Sequence, residues 1–182
     1  TNTMITKILN VITLSRILCA ILIYLFLYLE SNYSLALFLF FIASFSDFLD
    51  GYLARKTNSV SVLGEILDPI ADKLLIVFVL IGLSINLDSF LIGFISATII
   101  SREIWVAALR DINSRNNQSD KTRVTFLAKT KTAIQMLAIL MYLFGLTLNN
   151  MMVLFFADIV LIIALLITIQ TGFQYTISTF KK

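Results

Sequence analysis

Long apolar runs separated by short polar breaks organise the chain. Stretches such as Leu74 to Leu83 and Leu154 to Ile169 are almost uninterrupted. They lack the alternation over about ten residues that marks a membrane-spanning strand, so a barrel is excluded. A helix needs roughly 20 apolar residues to cross the hydrocarbon core of a bilayer. Six stretches approach or exceed that length, at 7–29, 35–55, 63–85, 89–111, 125–147 and 151–175. The pattern predicts an all-α, polytopic membrane protein with six transmembrane helices, forming a single domain over residues 1–182.

Composition supports this reading. Of 182 residues, 59% are apolar, 14% are charged and one is proline, which is too apolar for a soluble domain of this size. Orientation follows from the basic residues, because lysine and arginine accumulate on the cytoplasmic side. With the N terminus inside, the outer loops near 30–34, 86–90 and 148–151 contain neither Lys nor Arg. Lys7, Arg55, Lys56, the group from Arg110 to Lys131, and Lys181 and Lys182 all fall on the inner side, and both termini are cytoplasmic. The formal net charge of +3 therefore belongs to a basic inner face that attracts anionic lipids and phosphorylated solutes, not to a nucleic-acid binder. The first apolar stretch is long and lacks a small-residue cleavage pattern, so it is expected to stay as the first span, with Met4 as a candidate natural start.

Histidine is absent and the single cysteine, Cys19, lies in an apolar stretch. Acid–base or metal chemistry must then rest on carboxylates, lysines and tyrosines, with no disulfide framework or thiolate metal site.

The polar residues that break the pattern are concentrated between Asp47 and Lys73. Asp47, Asp50, Gly51, Ala54 and Arg55 fall within an arc of about 140° on the second helix, and Gly64, Asp68 and Asp72 within about 80° on the third. The short link from Lys56 to Ser61 makes the two helices antiparallel neighbours whose acidic faces can converge. Four clustered carboxylates repel one another, and each costs roughly 2.5–3.5 kcal/mol at the bilayer centre, so they need cations. Arg55 and Lys73 can neutralise part of the charge. Hard oxygen ligands at this density suit Mg²⁺ or Mn²⁺, with a two-metal site as one arrangement. Gly51, Ala54 and Gly64, with little or no side chain, let a bulky phosphorylated ligand approach the backbone. Ordinary helix caps or interface salt bridges would explain one aspartate but not four on two converging faces.

The run Asp-x2-Asp-Gly-x2-Ala-Arg-x8-Gly-x3-Asp-x3-Asp, from Asp47 to Asp72, resembles the complete signature of the CDP-alcohol phosphotransferases. The six-span layout of the whole chain is also similar to that family. The resemblance implies that Asp47, Asp50, Asp68 and Asp72 bind two divalent ions and that Asp72 takes the proton from the acceptor hydroxyl. It implies further that Gly51, Ala54, Arg55 and Gly64 cradle the CDP moiety of a CDP-linked lipid, and that the enzyme is a homodimer. A third patch, Asn10-x2-Thr13-x2-Arg16, resembles the family's N-terminal pattern and assigns these residues to CDP-lipid binding. On physical grounds alone Arg16 has two outcomes: an anionic partner, for which a diphosphate or the aspartate cluster would serve, or snorkelling to the inner headgroups.

A second charged region follows the fourth stretch: Arg102-Glu103-Ile104, Ala108-Leu109-Arg110, then Lys129-Thr130-Lys131-Thr132 and Gln135. Arg115, Lys121 and Arg123 read as an ordinary cytoplasmic loop. Arg102 and Lys131 lie within or at the edge of apolar spans, where charge needs a reason, and Glu103 is expected to pair with a cation. The region resembles the family branch that uses glycerol 3-phosphate as acceptor and CDP-diacylglycerol as donor. That resemblance makes Arg102, Arg110, Lys129 and Lys131 candidates for the acceptor phosphate. Ala128 departs from it, standing where a glycine is usual. Rival readings are another acceptor in the same family, such as phosphatidylglycerol, serine or inositol phosphate, and a non-enzymatic divalent-cation transporter. Lys131 argues against the cardiolipin-forming branch, which tends to carry asparagine there, and a transporter leaves Arg55 and the small residues unexplained. The expected setting is the inner (cytoplasmic) membrane of a bacterium, with the site facing the cytosol. Asp158, in the last stretch, has no assigned role.

Overall fold

The computed structural model describes the backbone of residues 2–30, 32–57, 62–117 and 126–181, and the side chains of 10–29, 32–46, 64, 66–117, 127 and 130–181. All regular structure among the described residues is helical. The elements are α1 (Asn2–Leu25), prolonged by a π-helical turn Phe26–Glu30, α2 (Tyr33–Thr57), α3 (Val62–Asn86), α4 (Phe90–Arg115), α5 (Phe126–Thr147) and α6 (Met151–Phe180). They match the six predicted stretches to within a few residues, overrunning them most at the first residues of α1 and at the ends of α4 and α6, while α5 keeps within its stretch. Apolar length is set by the bilayer, whereas the backbone ladder continues into polar sequence until a cap or turn ends it.

Among the described residues, four segments, Asn10–Leu29, Phe90–Arg115, Thr130–Thr147 and Met151–Phe180, are long and apolar enough to cross a membrane. The apolar part of α2 is shorter, Tyr33–Ser46, and that of α3 begins only after Lys73. Tight turns join α3 to α4 and α5 to α6. Asp88 (φ 46°) and Asn149 (φ 51°) occupy the left-handed region there, which Asp and Asn enter more readily than most residues. The next helices start on side-chain caps: Ser89 Oγ accepts from the Ile92 N–H at 3.4 Å, and Asn150 Oδ1 from Met152 at 3.0 Å and Val153 at 3.3 Å.

The polarity of the bundle is inverted relative to a soluble protein. Arg16 is 1% exposed and Lys131 and Gln135 are buried, while Phe155 is 63% exposed and Phe38, Phe41 and Leu166 also face outward. An apolar exterior around buried charge is the arrangement a lipid solvent favours. All six helices contribute to one apolar core, represented by Ile23, Phe40, Leu80, Ile95, Ile139 and Leu161. The aromatic run at 38–45 is thereby split, Phe40 into the core and Phe38, Phe41 and Phe45 outward.

The packing of α1 against α3 positions the acidic residues. A Cβ at Gly82 would stand 3.1 Å from Leu27 Cδ1, so glycine lets the two helices approach. Asn86 Nδ2 donates to the Leu27 carbonyl at 2.7 Å, within the π-helical turn where regular backbone pairing is altered. The short link between α2 and α3 suggests direct facing. Among the described residues, α2 and α3 each pack on α1, α5 packs on α6 and α2, and α4 packs on α6 and α3, while the side chains at the acidic end of α2 that would face α3 lie outside the described residues.

Candidate active site

Asp68 and Asp72 lie one turn apart on the same face of α3, and α1 meets them with a matching pair. Thr13 Oγ1 donates to Asp68 Oδ1 at 2.7 Å, and Arg16 Nη1 donates to Asp72 Oδ1 at 2.8 Å. A buried guanidinium is costly unless paired and hydrogen-bonded. Of the two outcomes open to Arg16, the structure takes the internal partner, and that partner is Asp72. Pro69, between the two aspartates, has no N–H for the helix ladder and lines the adjacent cavity. Within a bundle such a break is tolerated because neighbouring groups satisfy the freed carbonyl.

Asn10 and Gly64 are half-buried. Asp47, Asp50, Gly51, Ala54 and Arg55 lie on α2, and Lys129 on α5, but their side chains fall outside the described residues. Among the described residues no three His, Cys, Asp or Glu stand together as a metal-binding group.

Beside Asp72 opens a cavity of about 380 Å³. Its charged lining comes from three helices: Asp72 and Lys73 of α3, Arg102, Glu103 and Arg110 of α4, and Lys131 of α5. Among the described residues these are four cations against two carboxylates. Glu103 is the hub. It accepts a hydrogen bond from Lys131 Nζ and another from Arg102 Nη1 at 2.8 Å, and lies 3.4 Å from Lys73 Nζ. Glu103 therefore pairs with a cation as expected, and with three. It allows two nearly buried cations to sit in an apolar bundle, and the described lining of the cavity keeps a positive excess. Arg102 Nη2 also donates to Thr171 Oγ1 at 2.9 Å, and Gln135 Nε2 to Thr168 Oγ1 at 3.1 Å.

Of the predicted acceptor residues, Arg102, Arg110 and Lys131 are thus brought to one cavity, and Asp72 joins that cavity to Asp68 and Arg16. Sequence reasoning missed the contribution of α6. Thr168, Thr171 and Tyr175 back the cation cluster, and their one available signal was a file of hydroxyl and glycine positions along an otherwise apolar helix. Asp158 acquires a partner too, accepting a hydrogen bond from the buried Tyr142 hydroxyl.

A bundle of apolar helices with paired aspartates next to a cationic cavity describes a membrane-embedded transferase of phosphorylated groups, and residues 7–170 match the CDP-alcohol phosphatidyltransferase family model. The chain belongs to that family. It is similar to proteins named CDP-diacylglycerol–glycerol-3-phosphate 3-phosphatidyltransferase. That of Rickettsia bellii is 40% identical over 169 residues, covering 91% of each chain. That of Haemophilus influenzae is 38% identical over 152 residues, covering 82% of this chain and 80% of the relative. That of Escherichia coli is 32% identical over 132 residues, covering 71% and 72%.

Proposed function

We infer that this chain transfers the phosphatidyl group of CDP-diacylglycerol to glycerol 3-phosphate, giving phosphatidylglycerol phosphate and CMP. The observation that carries the reading is the cavity in which Asp72 shares a lining with Lys73, Arg102, Arg110 and Lys131. A carboxylate able to take a proton thus stands beside cations able to hold a phosphate. The names of the relatives support the same reaction.

Arg102, Arg110, Lys129 and Lys131 hold the acceptor phosphate and aim the free primary hydroxyl at the β-phosphorus of the donor. A new phosphorus–oxygen bond forms, the bond to CMP breaks, and the hydroxyl proton passes to Asp72. Arg16, hydrogen-bonded to Asp72, orients that carboxylate. Asn10, Thr13, Arg16, Gly51, Ala54, Arg55 and Gly64 cradle the CDP end of the lipid.

The donor set fits a hard divalent cation. Asp68 and Asp72 present acceptor-only oxygens on one helix face, fixed by Thr13 and Arg16. With Asp47 and Asp50 they would hold two ions, Mg²⁺ or Mn²⁺, which when bound neutralise charge developing on the leaving CMP.

The six helices span the bacterial inner membrane with both termini in the cytosol, a topology supported by the absence of Lys and Arg from the three outer turns. The lipid enters sideways from the inner leaflet, glycerol 3-phosphate arrives from the cytosol, and the enzyme works as a homodimer. The test uses purified protein in detergent with CDP-diacylglycerol and Mg²⁺, offering glycerol 3-phosphate, phosphatidylglycerol, serine or inositol phosphate in turn and following CMP. Release with glycerol 3-phosphate alone is expected. No release with any of them ends the enzyme reading, and release only with phosphatidylglycerol moves the chain to the cardiolipin-forming branch.

A further inference from the structure

Tyr175 of α6 is 3% exposed and packs on Val106 and Leu109 of α4. Two guanidinium groups lie against its ring: the Cζ atoms of Arg102 and Arg110 are each 5.6 Å from the ring centroid. Two turns of α4 separate these arginines in sequence, about 12 Å of helix. Both line the cavity beside Asp72, whereas Tyr175 does not. A common distance to one ring caps the separation of the two Cζ atoms at twice 5.6 Å.

Two like charges at that distance repel, and long arginine side chains lose rotamer freedom when held in place. The negative faces of an aromatic ring attract guanidinium groups within about 6 Å of the centroid, more strongly where water is excluded. Tyr175 therefore opposes the repulsion and narrows the conformations of both side chains before any ligand arrives. The rest of α6 acts in the same sense. Thr171 Oγ1 accepts from Arg102 Nη2 at 2.9 Å, and a Cβ at Gly172 would stand 3.2 Å from Arg102 Cγ, so the glycine leaves the passage that Arg102 occupies.

We propose that Tyr175 is a positioning residue for the acceptor, holding Arg102 and Arg110 as a preorganised pair that receives the phosphate monoester of the incoming alcohol. The inference rests on the reaction proposed above and adds to it that α6 tunes acceptor affinity without lining the acceptor cavity. Preorganised cations need no further ordering when the dianion binds, so the benefit falls on acceptor binding and not on the chemical step.

The test measures CMP release against both substrates for Tyr175→Phe, Tyr175→Leu and Tyr175→Met, the last two filling similar space without an aromatic face. Removing the ring is expected to raise the KM for glycerol 3-phosphate roughly tenfold, the size of a desolvated cation–π contact to the nearly buried Arg102 with a weaker one to the exposed Arg110. The kcat and the KM for CDP-diacylglycerol should stay within about twofold. Tyr175→Phe should restore the acceptor KM, since the ring and not the hydroxyl does the holding. An unchanged acceptor KM in Tyr175→Leu or Tyr175→Met overturns the proposal. So does an equal loss for both substrates, which marks a general packing role, or a Phe variant as impaired as Leu, which assigns the role to the hydroxyl. If the unmodified protein releases no CMP with glycerol 3-phosphate, the reaction itself is wrong and this role falls with it.

Discussion

Arg16 Nη1 on α1 donates a 2.8 Å hydrogen bond to Asp72 Oδ1 on α3, joining residues 56 positions apart with the arginine sealed from solvent. The pair brings the first span into the candidate active site and sets the orientation of the carboxylate assigned as base. Arg16→Ala is expected to lower kcat roughly 100-fold, the scale seen when a catalytic group is displaced by about an ångström. Arg16→Lys, a point charge without the planar fork, should recover only part of it. Near-normal turnover of Arg16→Ala at saturating substrates would show that Asp72 needs no such support.

Asp72→Asn keeps nearly the same shape but cannot take the proton. The variant should still bind CDP-diacylglycerol, as measured by ligand-induced thermal stabilisation in detergent, and should lose CMP release. Retained turnover excludes Asp72 as the base.

Stripping divalent ions with a chelator should abolish CMP release, and adding back Mg²⁺ or Mn²⁺ should restore it. An enzyme that works at full rate in chelator does not use the aspartates as proposed.

Lys131 and Glu103 separate affinity from stability. Lys131→Ala removes a cation from the cavity, and the KM for glycerol 3-phosphate should rise about tenfold or more, the worth of one charged hydrogen bond. Glu103→Ala leaves Lys131 and Arg102 without their shared counter-ion. Breaking a buried pair from one side is strongly destabilising, here by about 2–4 kcal/mol because Glu103 itself remains 19% exposed. Thermal unfolding in detergent reads this directly, and an unchanged midpoint would remove Glu103 as the hub.

Tyr142→Phe deletes the hydrogen bond to Asp158 in a part of the bundle distant in sequence from the aspartate signature. A loss of about 1 kcal/mol or less in stability is expected, with kcat and both KM values unaltered. A changed kcat would place this pair in the catalytic machinery after all.

Three features were legible in the amino-acid order because each is local. Apolar runs of bilayer length announced the helices, breaks near 30–34, 86–90 and 148–151 without Lys or Arg marked the outer loops between them, and the fixed spacing from Asp47 to Asp72 marked the acidic faces. Helical periodicity puts Asp68 and Asp72 on one side of α3 whatever surrounds them. Which helix faces that side depends on rotation and register between elements, and spacing along one helix carries no information about either. Only tertiary packing decided that α1 answers α3 with Thr13 and Arg16, that Glu103 gathers Lys73, Arg102 and Lys131, and that Tyr175 of the last helix lies against the arginines of the fourth. The sequence by itself determined which charges the bilayer must tolerate. The tertiary structure chose their partners, because a buried charge is stable only beside groups that chain separation hides and helix packing brings together.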